Sequence, residues 1–215
     1  MSNLKALATL ITRPKRLKAL LSFNHKGYLE NIGWFNAFEQ QAAVDKDGQP
    51  IPWVTYSFID FIKTRLNKTQ KIFEYGSGSS TLFYAKHVNR VVSVEHDESW
   101  YHKIVGSKAQ NAEMIFTKLE RGGEYSKKAS LLDEKFDIII VDGRDRVNCC
   151  KNSINALTPA GVVVLDDSER KEYEEARQFF KAQQFKELSF SGISPGLFYP
   201  KATSVFYRSE NCLGI

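Results

Sequence analysis

Short apolar runs recur along this chain at residues 71–75, 91–95, 136–141 and 161–165, with a weaker fifth at 114–116. Stretches long enough for helices lie between them, as at 79–86 and 100–110, and a further helix is expected over 57–66. Runs this short and this rich in apolar residues predict strands covered on both faces. Their alternation with helices predicts a parallel sheet in a doubly wound α/β domain. Near the end the pattern changes. A charged helix is expected over 168–184, followed by strands at 187–191 and 203–208 joined by a loop containing glycine and proline. That arrangement suits an antiparallel pair closing the sheet.

Upstream the spacing is different. Leu4, Leu7 and Ile11 recur at helical intervals, and Leu17, Leu20 and Leu21 do so again beyond Pro14. Proline at that point should end or kink the first segment. The turn-forming residues 45–50 (Asp-Lys-Asp-Gly-Gln-Pro) then divide a basic helical extension, 1–50, from a ligand-binding domain, 51–215. Residues 1–29 hold six Lys/Arg and no Asp/Glu, leaving 24 basic against 25 acidic residues from Glu30 onward. The net charge of +5 therefore belongs to the extension, and a nearly neutral body gives no reason to expect nucleic acid as the main partner. The favoured reading of the extension is a helix docking on the domain or on a partner protomer. The other is a basic amphipathic segment in peripheral contact with an anionic membrane.

Composition adds limits. With 42% hydrophobic and 26% charged residues, the chain has the make-up of a globular domain. No apolar run has the length of a membrane span, and Lys5, Arg13, Lys15, Arg16 and Lys18 interrupt any signal-peptide core. Cys149 and Cys150 are neighbours and Cys212 lies near the end, so no disulfide framework is legible and a reducing, cytoplasmic setting is expected.

Ligands of such sheets bind outside the carboxyl ends of the strands. The first strand delivers Glu74 and then Tyr75-Gly76-Ser77-Gly78-Ser79-Ser80-Thr81; the second delivers Glu95, an acid able to accept both hydroxyl protons of a ribose. The strands at 136–141 and 161–165 deliver Asp142 and Asp166-Asp167. A glycine loop with an acid about twenty residues later also suits a dinucleotide. Two details oppose that here. Thr81 stands where the dinucleotide pattern needs glycine, and Glu74 before the turn would repel a pyrophosphate. A cationic cofactor without phosphate, S-adenosylmethionine, suits the same residues better.

Residues 70–81, 91–97, 136–143 and 157–167 resemble successive motifs of class I S-adenosylmethionine-dependent methyltransferases, and the resemblance covers about residues 52–208. The third glycine of the first motif is replaced by Ser80. Residues 74–81, 141–146 and 165–170 are similar to a bacterial group whose members are often found among polysaccharide and glycosyl-transfer genes. The resemblance implies a Rossmann-like sheet of seven strands in the order 3-2-1-4-5-7-6, with strand 7 antiparallel. It implies that Glu74, Gly76 and Gly78 hold the methionine end and backbone of the cofactor and Glu95 the ribose, with Tyr75, Ser77, Ser80, Thr81 and Asp142 also in the cofactor site. His96 either flanks the adenine or is a surface residue. Asp142 is also the candidate base, with Arg144 and Arg146 as candidates for gripping a carboxylate or phosphate of the acceptor. Metal-using catechol-type O-methyltransferases place Asp after the fourth strand and Asp-Asn after the fifth; Asp142 and Asp166-Asp167 stand at similar points, with Asp167 in place of the Asn, which makes these three a candidate Mg²⁺ set. Asp166 could equally bind backbone N–H groups, and Asp167-Ser168 could cap the helix that follows.

Other chemistries find little support, with no zinc spacing, nucleophile elbow or P-loop lysine. Trp53 and Tyr199 are candidates for stacking on a sugar or flat acceptor, with plain packing the alternative, whereas Trp34, Phe35 and Phe38 are expected in the core. The leading expectation is O-methylation of a small molecule or saccharide. Aminopropyl transfer and a non-catalytic role in glycan assembly are the alternatives.

Overall fold

In the computed structural model, which describes residues 5, 9–23 and 26–215, the apolar runs pair into one seven-stranded sheet. Helices α1 (Pro14–Ser22), α2 (Tyr28–Asn31), α3 (Trp34–Gln40) and α4 (Tyr56–Lys63) precede it. Then follow β1 (Lys71–Tyr75), α5 (Ser79–His87), β2 (Arg90–Glu95), α6 (Glu98–Val105), β3 (Ala112–Phe116), α7 (Glu124–Leu131), β4 (Phe136–Val141), α8 (Arg146–Ser153) and β5 (Leu157–Asp166). Helix α9 (Glu174–Ala182) leads into β6 (Lys186–Gly192) and β7 (Lys201–Tyr207). The strand order is 3-2-1-4-5-7-6, and β7 runs antiparallel to both β5 and β6.

The central strands are apolar at most successive positions because each face meets its own core. Ile138 and Ile140 of β4 pack with Phe58, Ile62 and Tyr84 from α4 and α5. Ile139 and Val141, one step out of phase, pack with Tyr125, Cys149, Cys150 and Phe180 from α7, α8 and α9. Successive side chains of a strand alternate between faces, so both cores draw on one run.

Differences from the sequence expectation have local causes. The helix expected over 100–110 begins at Glu98, where Asp97 accepts the Trp100 N–H at 2.9 Å, and yields at Gly106. Helix α7 was not anticipated. Its sequence, Glu-Tyr-Ser-Lys-Lys-Ala-Ser-Leu, offers only Tyr125 and Ala129 as an apolar pair one turn apart, with Ser126 buried between them. The charged helix starts at Glu174 rather than 168. Asp167 is left-handed (φ 55°), and a short 3-10 turn covers Lys171–Tyr173. Ser168 bonds Ser204 at 2.8 Å instead of capping a helix.

Leu4 and Leu7 lie outside the described residues. The preceding helical stretch ends at Ile11, ahead of Pro14 as expected, and Pro14 opens α1, where a first-turn residue needs no N–H bond. The helix buries none of its residues. Among the described residues, no helix is long and apolar enough to cross a membrane.

Candidate functional site

The strand order reverses between β1 and β4, and a cavity of about 700 Å³ opens there over the strands' carboxyl ends. Gly76, Ser77 and Gly78 after β1, Glu95 and His96 at the end of β2, and Asp142, Gly143 and Arg144 after β4 line it; Trp53 and residues 41–43 close the far side. The sequence-derived candidates thus converge, because parallel strands present all their carboxyl ends to one side.

Two glycines let the loops meet. Gly76 has φ +97°, and a Cβ there would lie 3.3 Å from the Gly143 backbone. A Cβ on Gly143 would lie 3.0 Å from the Gly76 nitrogen and 2.1 Å from Tyr125 Oη. The β1 and β4 loops therefore touch backbone to backbone beside the Tyr125 hydroxyl, with no side chain between them.

Glu74 is almost wholly buried and accepts hydrogen bonds from Ser80, Thr81 (2.6 Å) and Ser93 (2.8 Å). Burial raises its carboxyl above the ordinary range, against the pull of those hydroxyls. Glu74 and Thr81 thus fix the course of the loop from beneath. Tyr75 points into the opposite core, where its hydroxyl donates to the Ser126 carbonyl at 2.9 Å, so only its backbone borders the loop. Glu95 is 4% exposed and accepts from Ser77 Oγ at 2.7 Å and from the His96 and Asp97 N–H groups at 2.8 and 2.9 Å. His96 Nδ1 lies 2.9 Å from Glu95 Oε1 without a hydrogen bond, and its ring meets Tyr125 edge-on.

Beneath Asp142 lies a buried ion cluster. Arg146 Nη2 contacts Asp142 Oδ1 at 2.9 Å, and its Nη1 contacts Asp167 Oδ2 at 3.2 Å and the Asp166 carbonyl at 2.5 Å. Lys201 Nζ stands 2.5 Å from Asp166 and 2.7 Å from Asp167. Thr203 donates to Asp166 at 2.8 Å, and Arg170 reaches Asp167 at 2.7 Å. Burial, reinforced by the charge of Asp166, pushes the Asp142 carboxyl well above its ordinary range. Burial also raises Asp166, although Lys201 pulls it back. Burial would lift Asp167 too, but the hydrogen bond and charge of Lys201, with Arg146 and Arg170, hold it below the usual carboxylate value.

This cluster bears on two expectations. Arg146 spends all three guanidinium nitrogens on Asp142, Gly143, Asp166 and Asp167, so it braces the site from below rather than reaching an acceptor. The Mg²⁺ set does not fit: the ammonium of Lys201 and the guanidinium of Arg146 stand between the three carboxylates and already neutralise them. Among the described residues, no group of three His, Cys, Asp or Glu side chains is placed to hold a metal ion.

Arg144 is exposed and lines both the main cavity and a neighbouring one of about 680 Å³, which it shares with Arg121. Gly143, Trp100 and Lys201 escaped the sequence reading. Gly143 had a signal, a glycine directly after a strand-end acid. Trp100 donates its Nε1–H to the Ser77 carbonyl at 2.9 Å, and only its position one turn into α6 hinted at that. Lys201 had none, since strand pairing alone brings it to the acids. Of the aromatics, Trp34 is buried as expected, but Phe38 is 45% exposed beside the 69% exposed Phe198. Tyr199, the second stacking candidate, does not line the main cavity and is 57% exposed.

The strand order and the crevice at its reversal decide the fold, and solved structures share it. The chain has the class I methyltransferase fold. It is similar to a methyltransferase-like protein of Silicibacter pomeroyi, with 19% identity and a TM-score of 0.53 over 74% of this chain and 89% of that one. It is likewise similar to precorrin-6y C5,15-methyltransferase of Geobacter metallireducens, with 13% identity and a TM-score of 0.54 over 78% and 97%. A candidate O-methyltransferase of Klebsiella pneumoniae aligns at 12% identity and a TM-score of 0.53 over 88% and 94%. No protein-family model matches the chain, and no curated protein does.

Proposed function

We propose that this protein is an S-adenosylmethionine-dependent methyltransferase that methylates an oxygen of a small molecule or saccharide. The observation that carries the reading is the pairing, across one cleft, of the buried Glu95 carboxylate with the backbone cradle of Gly76 and Gly143. A carboxylate at the end of β2 suits the two hydroxyls of a ribose, and the glycines let a ligand approach the main chain closely. When bound, S-adenosylmethionine supplies an electrophilic methyl group on a sulfonium. The residues orient the acceptor in line with that group and exclude water. Asp142, with its raised proton affinity, takes the proton of the acceptor hydroxyl. Arg144, free of the ion cluster, suits a carboxylate or phosphate on the acceptor, and together with Arg170 it opposes a polyamine. Trp53 at the rim offers a face for a sugar or flat ring.

Calorimetry with S-adenosylhomocysteine is the direct test. Micromolar binding is expected, weakened at least tenfold in Glu95→Gln, which loses the charge opposite the ribose. No heat of binding at high micromolar concentration would sink the proposal.

Asp142→Asn separates chemistry from stability. Methyl transfer should fall by at least a hundredfold while S-adenosylhomocysteine affinity changes only a few-fold. The folded pKa of Asp142 lies above its unfolded value, so its contribution to stability is fully present below about pH 4 and is lost as pH rises through the raised pKa. Asparagine does not suffer that loss. In denaturant titrations the variant should be more stable than the parent at pH 8 and equal to it near pH 4; the opposite ordering at pH 8 would refute the raised pKa.

A further inference from the structure

Helix α1 is nine residues long and buries none of them. A helix of that length is marginal in water, and most helices are sustained by packing an apolar face. Leu17, Leu20 and Leu21 fall on one face of α1 by their spacing, with Lys15 on the opposite face and Arg16 and Lys18 on its two flanks. Leu20 is 46% and Leu21 64% exposed, and Ile11 and Phe23 at either end are 65% and 42% exposed. Three basic residues lie within the helix and Arg13 just before it, and no acid precedes Glu30.

We propose that residues 11–23 lie on an anionic phospholipid surface, with the leucine face at the level of the acyl chains and the Lys/Arg side chains among the headgroups. The charge pattern selects this occupant. A protein groove would have to supply apolar contacts and a dense set of carboxylates together, whereas an anionic bilayer presents negative charge directly above an apolar layer. Long basic side chains flanking an apolar stripe can keep their charged ends in water while their stems cover lipid. Tyr28, 57% exposed just beyond the helix, has the amphipathic character favoured at such interfaces. This inference is independent of methyl transfer.

Flotation of the full chain with two kinds of vesicle tests it. One is phosphatidylcholine alone; the other is phosphatidylcholine with about a third phosphatidylglycerol, both at about 0.1 M salt. At least tenfold stronger partitioning onto the anionic vesicles is expected. Lys15→Glu/Arg16→Glu/Lys18→Glu should reduce it to the level of phosphatidylcholine, and Leu20→Ser/Leu21→Ser should weaken it at least fivefold. Because α1 buries nothing, both variants should keep the parent's melting temperature and S-adenosylhomocysteine affinity. Equal partitioning onto both vesicles, or undiminished binding by the charge-reversed variant, overturns the proposal. So does concentration-dependent self-association abolished by the leucine variant in the absence of vesicle binding, which would make a second copy the occupant.

Discussion

Gly143→Ala should lose roughly a hundredfold in S-adenosylhomocysteine affinity, about 3 kcal/mol, the upper part of the range for forcing atoms into a packed site. The added methyl would stand 2.1 Å from Tyr125 Oη. That ring cannot swing aside, because it is fully buried and packs against Tyr75 and His96. The methyl would also lie 3.0 Å from the Gly76 nitrogen, so the β1 and β4 loops must part at the proposed cofactor cleft. Tyr125→Phe removes the offending oxygen while keeping the ring. The double variant Gly143→Ala/Tyr125→Phe should therefore bind more tightly than Gly143→Ala alone, yet below the parent because the contact with Gly76 remains. Calorimetry on the three proteins decides this. Parent-like affinity in Gly143→Ala would show that the loops do not need to touch.

Lys201→Met should destabilise the fold by about 3–5 kcal/mol at pH 8, the usual loss when one partner of a buried ion pair is removed. Asp166 is 1% exposed, and its carboxylate has Lys201 as its nearest cation. Without the ammonium its folded pKa, already raised by burial, should climb further. A raised carboxyl contributes stability below about pH 4 and loses it as pH rises, so the deficit should be large at pH 8 and small near pH 4. Asp166→Asn introduced with Lys201→Met should recover much of the loss. Denaturant unfolding of both variants across that pH window provides the check, and a deficit independent of pH would assign the effect to lost packing instead.

The parts of this molecule that were legible in its sequence are those set by burial on two faces. Strands β1 and β4 match the runs at 71–75 and 136–141 end to end, because covering both faces of the sheet keeps Ile72, Phe73 and Tyr75, and Ile138 to Val141, apolar at successive positions. Helix α7 was not legible, since its hold on the sheet rests on Tyr125 and Ala129 within an otherwise polar segment. The candidate site divides in the same way. Residues at strand ends, Glu95 and Asp142 among them, were found from the rhythm of the strands. What each carboxylate touches was not. Glu74 is enclosed by three hydroxyls, and Arg146 turns inward beneath Asp142; both outcomes depend on side chains from several elements. The Mg²⁺ expectation failed to anticipate Lys201 for the same reason, since 35 residues separate it from Asp166.

Strand β7 enters the sheet between β5 and β6 and delivers Lys201 and Thr203 to Asp166. Everything else in the cleft is encoded earlier in the chain. During synthesis the acids at the end of β5 therefore emerge after Arg146 but before Lys201, the nearest cation of Asp166, and the edge of β5 waits for the last strand. A chain that has not inserted β7 leaves Asp166 without that partner at the floor of its cleft. The strand that closes the sheet is thus also the one that completes the ion cluster beneath Asp142.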